Sequence, residues 1–198
     1  PDLYEWVQLE SADEEFQALD DVVAFRKDGA VEFVQVKFTV NPEEYALDWE
    51  WLLAVKGKGS SMLSKWMNSF LRAKVQGRVH RARLVTNRVP SDAFAACLDG
   101  RLVNLAKVPE EIRLKVEAIC GKDGAQEFFG LFEFSGEQFD LDRYEASLRD
   151  KLVPTDTDAA GWLLLRYFVQ RWATRKNDPY PDGKIHHEHL VQLITKRR

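Results

Sequence analysis

The sequence predicts an α/β fold: a mixed β-sheet flanked by helices, with a C-terminal helical extension. Three observations predict it. Short segments of alternating or β-branched residues crowd the front of the chain, stretches of helical periodicity separate them, and past Gly136 the periodicity is helical throughout. The expected division is a core over residues 1–136 and an extension over 137–198, packed on the core or used for assembly.

The elements follow in order. Tyr4–Leu9 alternates in the strand manner. Residues 21–26 and 31–39 are two more strands, and Asp28-Gly29 between them is a hairpin signal. Asn41-Pro42-Glu43-Glu44 has the makings of a helix start: a capping residue, a first-turn proline and acids at the positive dipole end. Gly57 and Gly59 form a loose loop, after which Ser60 caps a helix to about Lys74 with Met62, Trp66, Ser69 and Phe70 at helical spacing. Residues 79–87 form a fourth strand, and Pro90-Ser91 opens a short helix through Leu98. Pro109-Glu110-Glu111 opens another that Gly121 stops, and residues 128–135 return to strand. The rest is helical: from Asp140 to about Leu152, from Asp156 or Asp158 to about Arg175, and from Asp182 to about Lys196. The second of these is apolar nearly all round, which predicts burial.

Composition excludes several classes. The chain of 198 residues is 45% hydrophobic and 30% charged, which argues for a sizeable core and against disorder. Two cysteines, Cys97 and Cys120, exclude a disulfide scaffold and a cysteine-rich zinc fold. No apolar run approaches the roughly 18 residues of a membrane helix, so a soluble protein with no membrane partner is expected. Pro1-Asp2 opens no basic and apolar leader, so a cytoplasmic location is expected, and the chain reads as a piece of a longer one.

Charge is distributed unevenly. Residues 1–50 carry fourteen acids against three bases, whereas residues 51–91 carry nine bases and no acid. A single-sign run of that length needs a counter-charge. Phosphate is one candidate, and the acidic N-terminal segment folding back is the other; composition alone favours the second.

The strand over residues 31–39 carries the chemistry. Val31, Phe33, Gln35 and Lys37 share one face, and Gln35 and Lys37 interrupt its apolar stripe. A buried lysine needs a partner. A three-residue turn with Gly29 left-handed sets Asp21 opposite Gln35; a two-residue type I′ turn sets Asp20 opposite Lys37 instead. An acid on one strand and Gln-x-Lys on its hairpin partner suits a metal-dependent nuclease. Asp21 would ligate a hard divalent cation, with the Gln35 side-chain oxygen, the Val36 carbonyl and Glu10 as further ligands. Lys37 would orient the attacking water or stabilise developing negative charge.

Glu10, then Asp20-Asp21-Val-Val-Ala-Phe, then Val34-Gln35-Val36-Lys37 resembles the PD-(D/E)xK nuclease superfamily. More narrowly it resembles the Q-x-K branch that includes Mrr-like restriction enzymes, and within it the double-stranded-DNA endonuclease domains of bacterial antiphage (CBASS-effector-type) systems. Lys65-Trp66 and Leu84-Val85-Thr86-Asn87 match the later parts of that pattern, so the resemblance spans about residues 4–98. Asp20 stands where the pattern commonly has proline.

The resemblance implies a restriction-endonuclease-like fold and Mg²⁺-dependent hydrolysis of double-stranded DNA, with Mn²⁺ as a substitute. Asp21, Gln35, Lys37, Glu10 and Asp20 would form the catalytic set. It also implies an antiphage effector that works as a homo-oligomer or with a sensor or ATPase subunit. Lys65, Arg72 and Lys74 on one helix, with Arg81 and Arg83 on one strand face, would meet the DNA backbone. The competing readings are a catalytically inactive nuclease-fold scaffold or DNA-binding domain, and an RNA-directed nuclease. Gly57-Lys58-Gly59-Ser60-Ser61 lacks the order of a phosphate loop, and His186, His187 and His189 lack the H-E-x-x-H spacing of a zinc site.

Overall fold

The computed structural model describes residues 3–10, 18–55, 57, 59–138, 143, 145–147, 159–174, 183–186 and 188. Three strands open the chain as an antiparallel meander: β1 (Tyr4–Leu9), β2 (Val22–Arg26) and β3 (Ala30–Val36). The β2–β3 turn has Gly29 left-handed at φ 80°, and its N–H donates to Arg26 O at 3.0 Å. Val22 therefore pairs with Val34 and Val23 with Phe33, the register of the three-residue turn. β3 ends at Val36 rather than at residue 39.

Residues 41–44 make a turn where a helix start was expected; Glu44 N–H donates to Asn41 O at 3.2 Å. The reason lies three residues on. Leu47 is fully buried, and its extended backbone pairs with Val89 and Ser91, which a helix begun at Asn41 would forbid. Helix α1 (Trp49–Leu53) starts later, with Asp48 accepting from Trp51 N–H at 2.7 Å.

Helix α2 (Met62–Gln76) is capped by Ser61, one residue past the expected Ser60. Leu63, Trp66, Met67, Phe70 and Ala73 form its buried stripe. It crosses over to β4 (Arg78–Val85), which runs parallel to β3. Helix α3 (Asp92–Ala95) is cut short by a small hairpin, β5 (Leu98–Asp99) and β6 (Leu102–Val103), around the left-handed Gly100.

After a 3-10 turn (Leu105–Lys107), helix α4 (Glu110–Leu131) continues past Gly121, where a helix end was expected. Gly121 is a kink (φ 75°, ψ 169°) inside the longer helix. Residues 128–131 are helical, not strand, because helical spacing turns both phenylalanines inward. Phe128 stacks on Phe132 with centroids 4.5 Å apart, and Phe129 meets Trp49 edge-on at 6.1 Å. Strand β7 (Phe132–Ser135) then runs parallel to β4.

In the back half, residues 143 and 145–147 are helical, and the remainder of the helix expected over 140–152 lies outside the described residues. Helix α5 (Ala159–Thr174) lies within the second helix expected there, but it is not buried all round: Leu163 and Tyr167 are each 61% exposed. Among its described side chains, Trp162, Leu165, Phe168 and Arg171 are half-buried and follow one stripe. Where a last helix was expected, Lys184–His186 form β8, antiparallel to β1. Three residues carry no readable periodicity, and the open edge of β1 supplies the ladder that decides their state. Residues 187 and 189–198 lie outside the described residues.

Among the described residues the result is an eight-stranded mixed open sheet, ordered β5-β6-β7-β4-β3-β2-β1-β8, with helices packed against it. Register assigns its faces. Val23, Phe33, Ala82, Leu84, Phe132 and Phe134 point into the core that α2 and α4 cover. Glu32, Arg81, Arg83 and Glu133 point the other way. Among the described residues no helix is long and apolar enough to cross a membrane.

Candidate active site

Three strands of the meander bring the acids and Gln-x-Lys together. One step beyond the Leu9–Val22 pair, Glu10 N–H donates to Asp21 O at 3.1 Å. One step beyond the Val22–Val34 pair, Asp21 comes level with Gln35. The Asp21 Oδ2 accepts from Val36 N–H at 2.7 Å and from Lys37 Nζ at 3.1 Å. The register that pairs Asp20 with Lys37 is absent; Asp20 stands beside the pair and lines the same hollow. Glu10 has φ 47°, a left-handed backbone costing about 1 kcal/mol or more for a residue with a Cβ.

The hollow has a volume of about 460 Å³. It is lined by Glu10, Asp20, Asp21, Gln35 and Lys37, by Ser60 ahead of α2, and by Met62, Lys65 and Trp66 from the first turns of α2. Trp51 closes one side. The Arg88 guanidinium lies 4.3 Å from the Trp51 ring centroid and 5.4 Å from that of Tyr45, which holds the indole in place. Burial pushes the Arg88 guanidinium down from its ordinary pKa.

Gln35 is the informative side chain. It is 2% exposed, and its Oε1 is buried without a hydrogen-bond partner. An acceptor left so costs about 1–3 kcal/mol. Gln35 lines the hollow together with the carboxylates of Glu10, Asp20 and Asp21. This donor set is all oxygen, which fits a hard divalent cation such as Mg²⁺ or Mn²⁺. Among the described residues no three His, Cys, Asp or Glu side chains gather as a metal cluster, so a cation here would depend on Gln35 as well as the acids. Val36 does not line the hollow; its contribution to Asp21 is its N–H.

The five basic residues expected at a nucleic-acid surface do not lie together. Lys65 lines the hollow, is exposed, and has no ion-pair partner among the described residues. Arg72 bonds within α2, to Asn68 O and Ser69 Oγ, each at 3.4 Å. Lys74 pairs with Glu127 at 2.5 Å. Arg81 and Arg83 share a strand face, but it is the face turned away from the hollow. There Arg81 meets Glu32 and Arg83 meets Glu133, each at 2.7 Å. Part of the basic run thus finds the acidic N-terminal segment, as composition favoured.

Glu32 centres that far face, with its side chain 6% exposed. It accepts from Arg26 at 3.0 Å, Arg81 at 2.7 Å and the Tyr4 hydroxyl at 3.1 Å. Burial pushes its carboxyl up, and these three donors outweigh burial and hold it below the ordinary carboxylate range. The sequence reading passed over Glu32, although a lone acid between Val31 and Phe33, flanked by Arg26 and Arg81 on neighbouring strands, is a signal for such a network. It gave no task to Trp51, and to Ser60 only that of a helix cap. Cys97 is buried and Cys120 half-buried, and burial pushes the Cys120 thiol up, so its thiolate is disfavoured. A scan against protein-family models and a search of curated proteins find no match to this chain, so its residues and their geometry carry the functional reading.

Proposed function

We propose that this chain is a metal-dependent endonuclease of the PD-(D/E)xK superfamily, Q-x-K branch, hydrolysing phosphodiester bonds of double-stranded DNA as an effector in bacterial antiphage defence. One observation carries it. Asp21 and Gln35 stand level on neighbouring strands, Lys37 Nζ lies 3.1 Å from Asp21, and Gln35, whose side-chain oxygen is buried and unpartnered, lines the same hollow. The antiparallel meander followed by a helix crossing to a parallel strand supports the finer, restriction-endonuclease-like reading of the fold.

Asp21, Gln35 and Glu10, with Asp20 adjacent, would hold Mg²⁺ or Mn²⁺. When bound, the cation supplies a water of lowered pKa and positive charge against the phosphate. Lys37, paired with Asp21, sets its Nζ beside that carboxylate, where it would orient a water or oppose negative charge on the reacting phosphate. Lys65, which lines the same hollow, would present a second positive charge suited to a backbone phosphate. One such site cuts one strand, so a double-strand break requires two copies acting together or an assembly with a partner subunit.

The test is cleavage of supercoiled plasmid with Mg²⁺, with Mn²⁺ and with EDTA, for the wild type, Asp21→Ala and Lys37→Ala. Metal-dependent nicking or linearisation that falls at least a hundredfold in both variants is expected. Cleavage that survives EDTA, or persists in Lys37→Ala, would overturn the assignment. A second reading, a nuclease fold without catalysis, draws on the Asp21–Lys37 pair, which already occupies one carboxylate oxygen. It predicts no cleavage and no Mn²⁺ binding at any protein concentration.

A further inference from the structure

We propose that Thr86 and Asn87 are positioning residues for Lys37, holding its backbone so that its ammonium reaches Asp21; the inference rests on the nuclease reading for its catalytic consequence alone. The observation starts where the ladder ends. β3 and β4 pair backbone to backbone as far as Val36 and Val85, and Lys37 N–H still donates to Val85 O at 3.0 Å. Beyond that point side chains replace the ladder. The Thr86 hydroxyl donates to Lys37 O at 2.5 Å. The Asn87 amide takes both backbone groups of Thr39: its Oδ1 accepts from Thr39 N–H at 2.9 Å, and its Nδ2 donates to Thr39 O at 2.7 Å. An amide bonded in this two-point manner reproduces a strand pair, so residues 37–39 run on as if the sheet continued.

The clamp is itself rigid. Thr86 is fully buried and Asn87 is 8% exposed. Thr86 N–H donates to Ser135 O at 3.0 Å, and Thr86 O accepts from Gln138 N–H at 3.1 Å. Its hydroxyl also accepts from Arg88 N–H at 3.2 Å, which leaves the proton to point at Lys37 O. The lysine chain is long and its side chain is 39% exposed, so packing does not hold it. Its Nζ ends on Asp21 at 3.1 Å, and the backbone it springs from is fixed by Thr86 at Lys37 and by Asn87 two residues on, at Thr39. Misplacing a catalytic group by about 1 Å lowers a rate by roughly a hundredfold.

The experiment compares Thr86→Val, Thr86→Ser and Asn87→Asp with the wild type. The first readout is independent of nuclease activity: the rate at which an amine-acylating reagent labels Lys37, followed by mass spectrometry with Lys65 as the internal control. Thr86→Val and Asn87→Asp are expected to raise Lys37 labelling at least threefold, with Lys65 unchanged and Thr86→Ser restoring the wild-type rate. The second readout is plasmid cleavage, where kcat should fall roughly ten- to a hundredfold with KM and Mn²⁺ affinity unchanged. Should Thr86→Val fail to fold, Asn87→Asp, nearly isosteric, carries the same comparison. Unchanged Lys37 labelling in the folded variants overturns the proposal. Altered labelling in proteins that never cleave DNA upholds the positioning role and overturns the nuclease reading instead.

Discussion

At the residue scale, the two faces of β3 carry two different uses of a carboxylate. On the core face Asp21 accepts a lysine and a backbone N–H and lines the hollow; on the far face Glu32 is enclosed by two arginines and a tyrosine. Glu32 is therefore a stability residue. Glu32→Gln should destabilise by about 2 kcal/mol, since it leaves Arg26 and Arg81 without their shared anion. The pH dependence follows from the direction of its shift. A carboxyl held below its unfolded pKa contributes stability that is complete above the unfolded value, near 4.3, and is lost as pH falls through the lower folded value. Urea melts from pH 7 to pH 3 should show a steeper acid loss in the wild type than in Glu32→Gln; parallel curves would remove Glu32 from the account. The candidate site was legible at this scale because Gln35 and Lys37 are polar residues on an apolar stripe. The Glu32 network was less so, because its partners lie on other strands and meet only once the parallel β3–β4 register is known.

At the element scale, the β2–β3 turn determines which acid meets Gln35. A type I′ turn would have shifted the register by one residue and presented Asp20. Gly29 at φ 80° makes the three-residue turn possible, and beyond its two chain neighbours nothing lies within 4 Å of where its Cβ would stand. Gly29→Ala thus tests the backbone alone. It should cost about 1–2 kcal/mol in a denaturant melt with no packing defect. A neutral effect would mean that the strands, not the turn, set the register. The meander, α2 and β4 were legible because each carries several periods of its pattern. The elements misread lacked that length or answered to distant partners. Residues 128–131 are apolar in either state, and only the meeting of Phe128 and Phe129 with Phe132 and Trp49 makes them helical. Residues 184–186 become a strand because β1 offers an edge.

At the scale of the whole molecule, the sheet separates its charges. Of the nine bases in residues 51–91, Arg81 and Arg83 are neutralised on the far face and Lys74 pairs with Glu127, while Lys65 stands open at the hollow. The basic run therefore overstates the charge available to a nucleic acid at the site. This has a consequence that salt can measure. Each phosphate that a lysine or arginine neutralises adds about 0.9 to the slope of log affinity against log salt concentration for duplex DNA. If duplex DNA binds across the hollow, Lys65→Ala should flatten that slope by about 1 and weaken binding evenly across sequences. Arg81→Ala and Arg83→Ala should leave it unchanged, because those guanidinium groups already hold carboxylates on the other side of the sheet. Fluorescence anisotropy of a labelled duplex, titrated at four or five salt concentrations without divalent metal, reads all three slopes. A slope indifferent to Lys65 and flattened by Arg81→Ala would move the duplex to the far face of the sheet. Glu32 would then be the residue that tunes the DNA contact, and the hollow at Asp21 would have to act on something other than the duplex bound there.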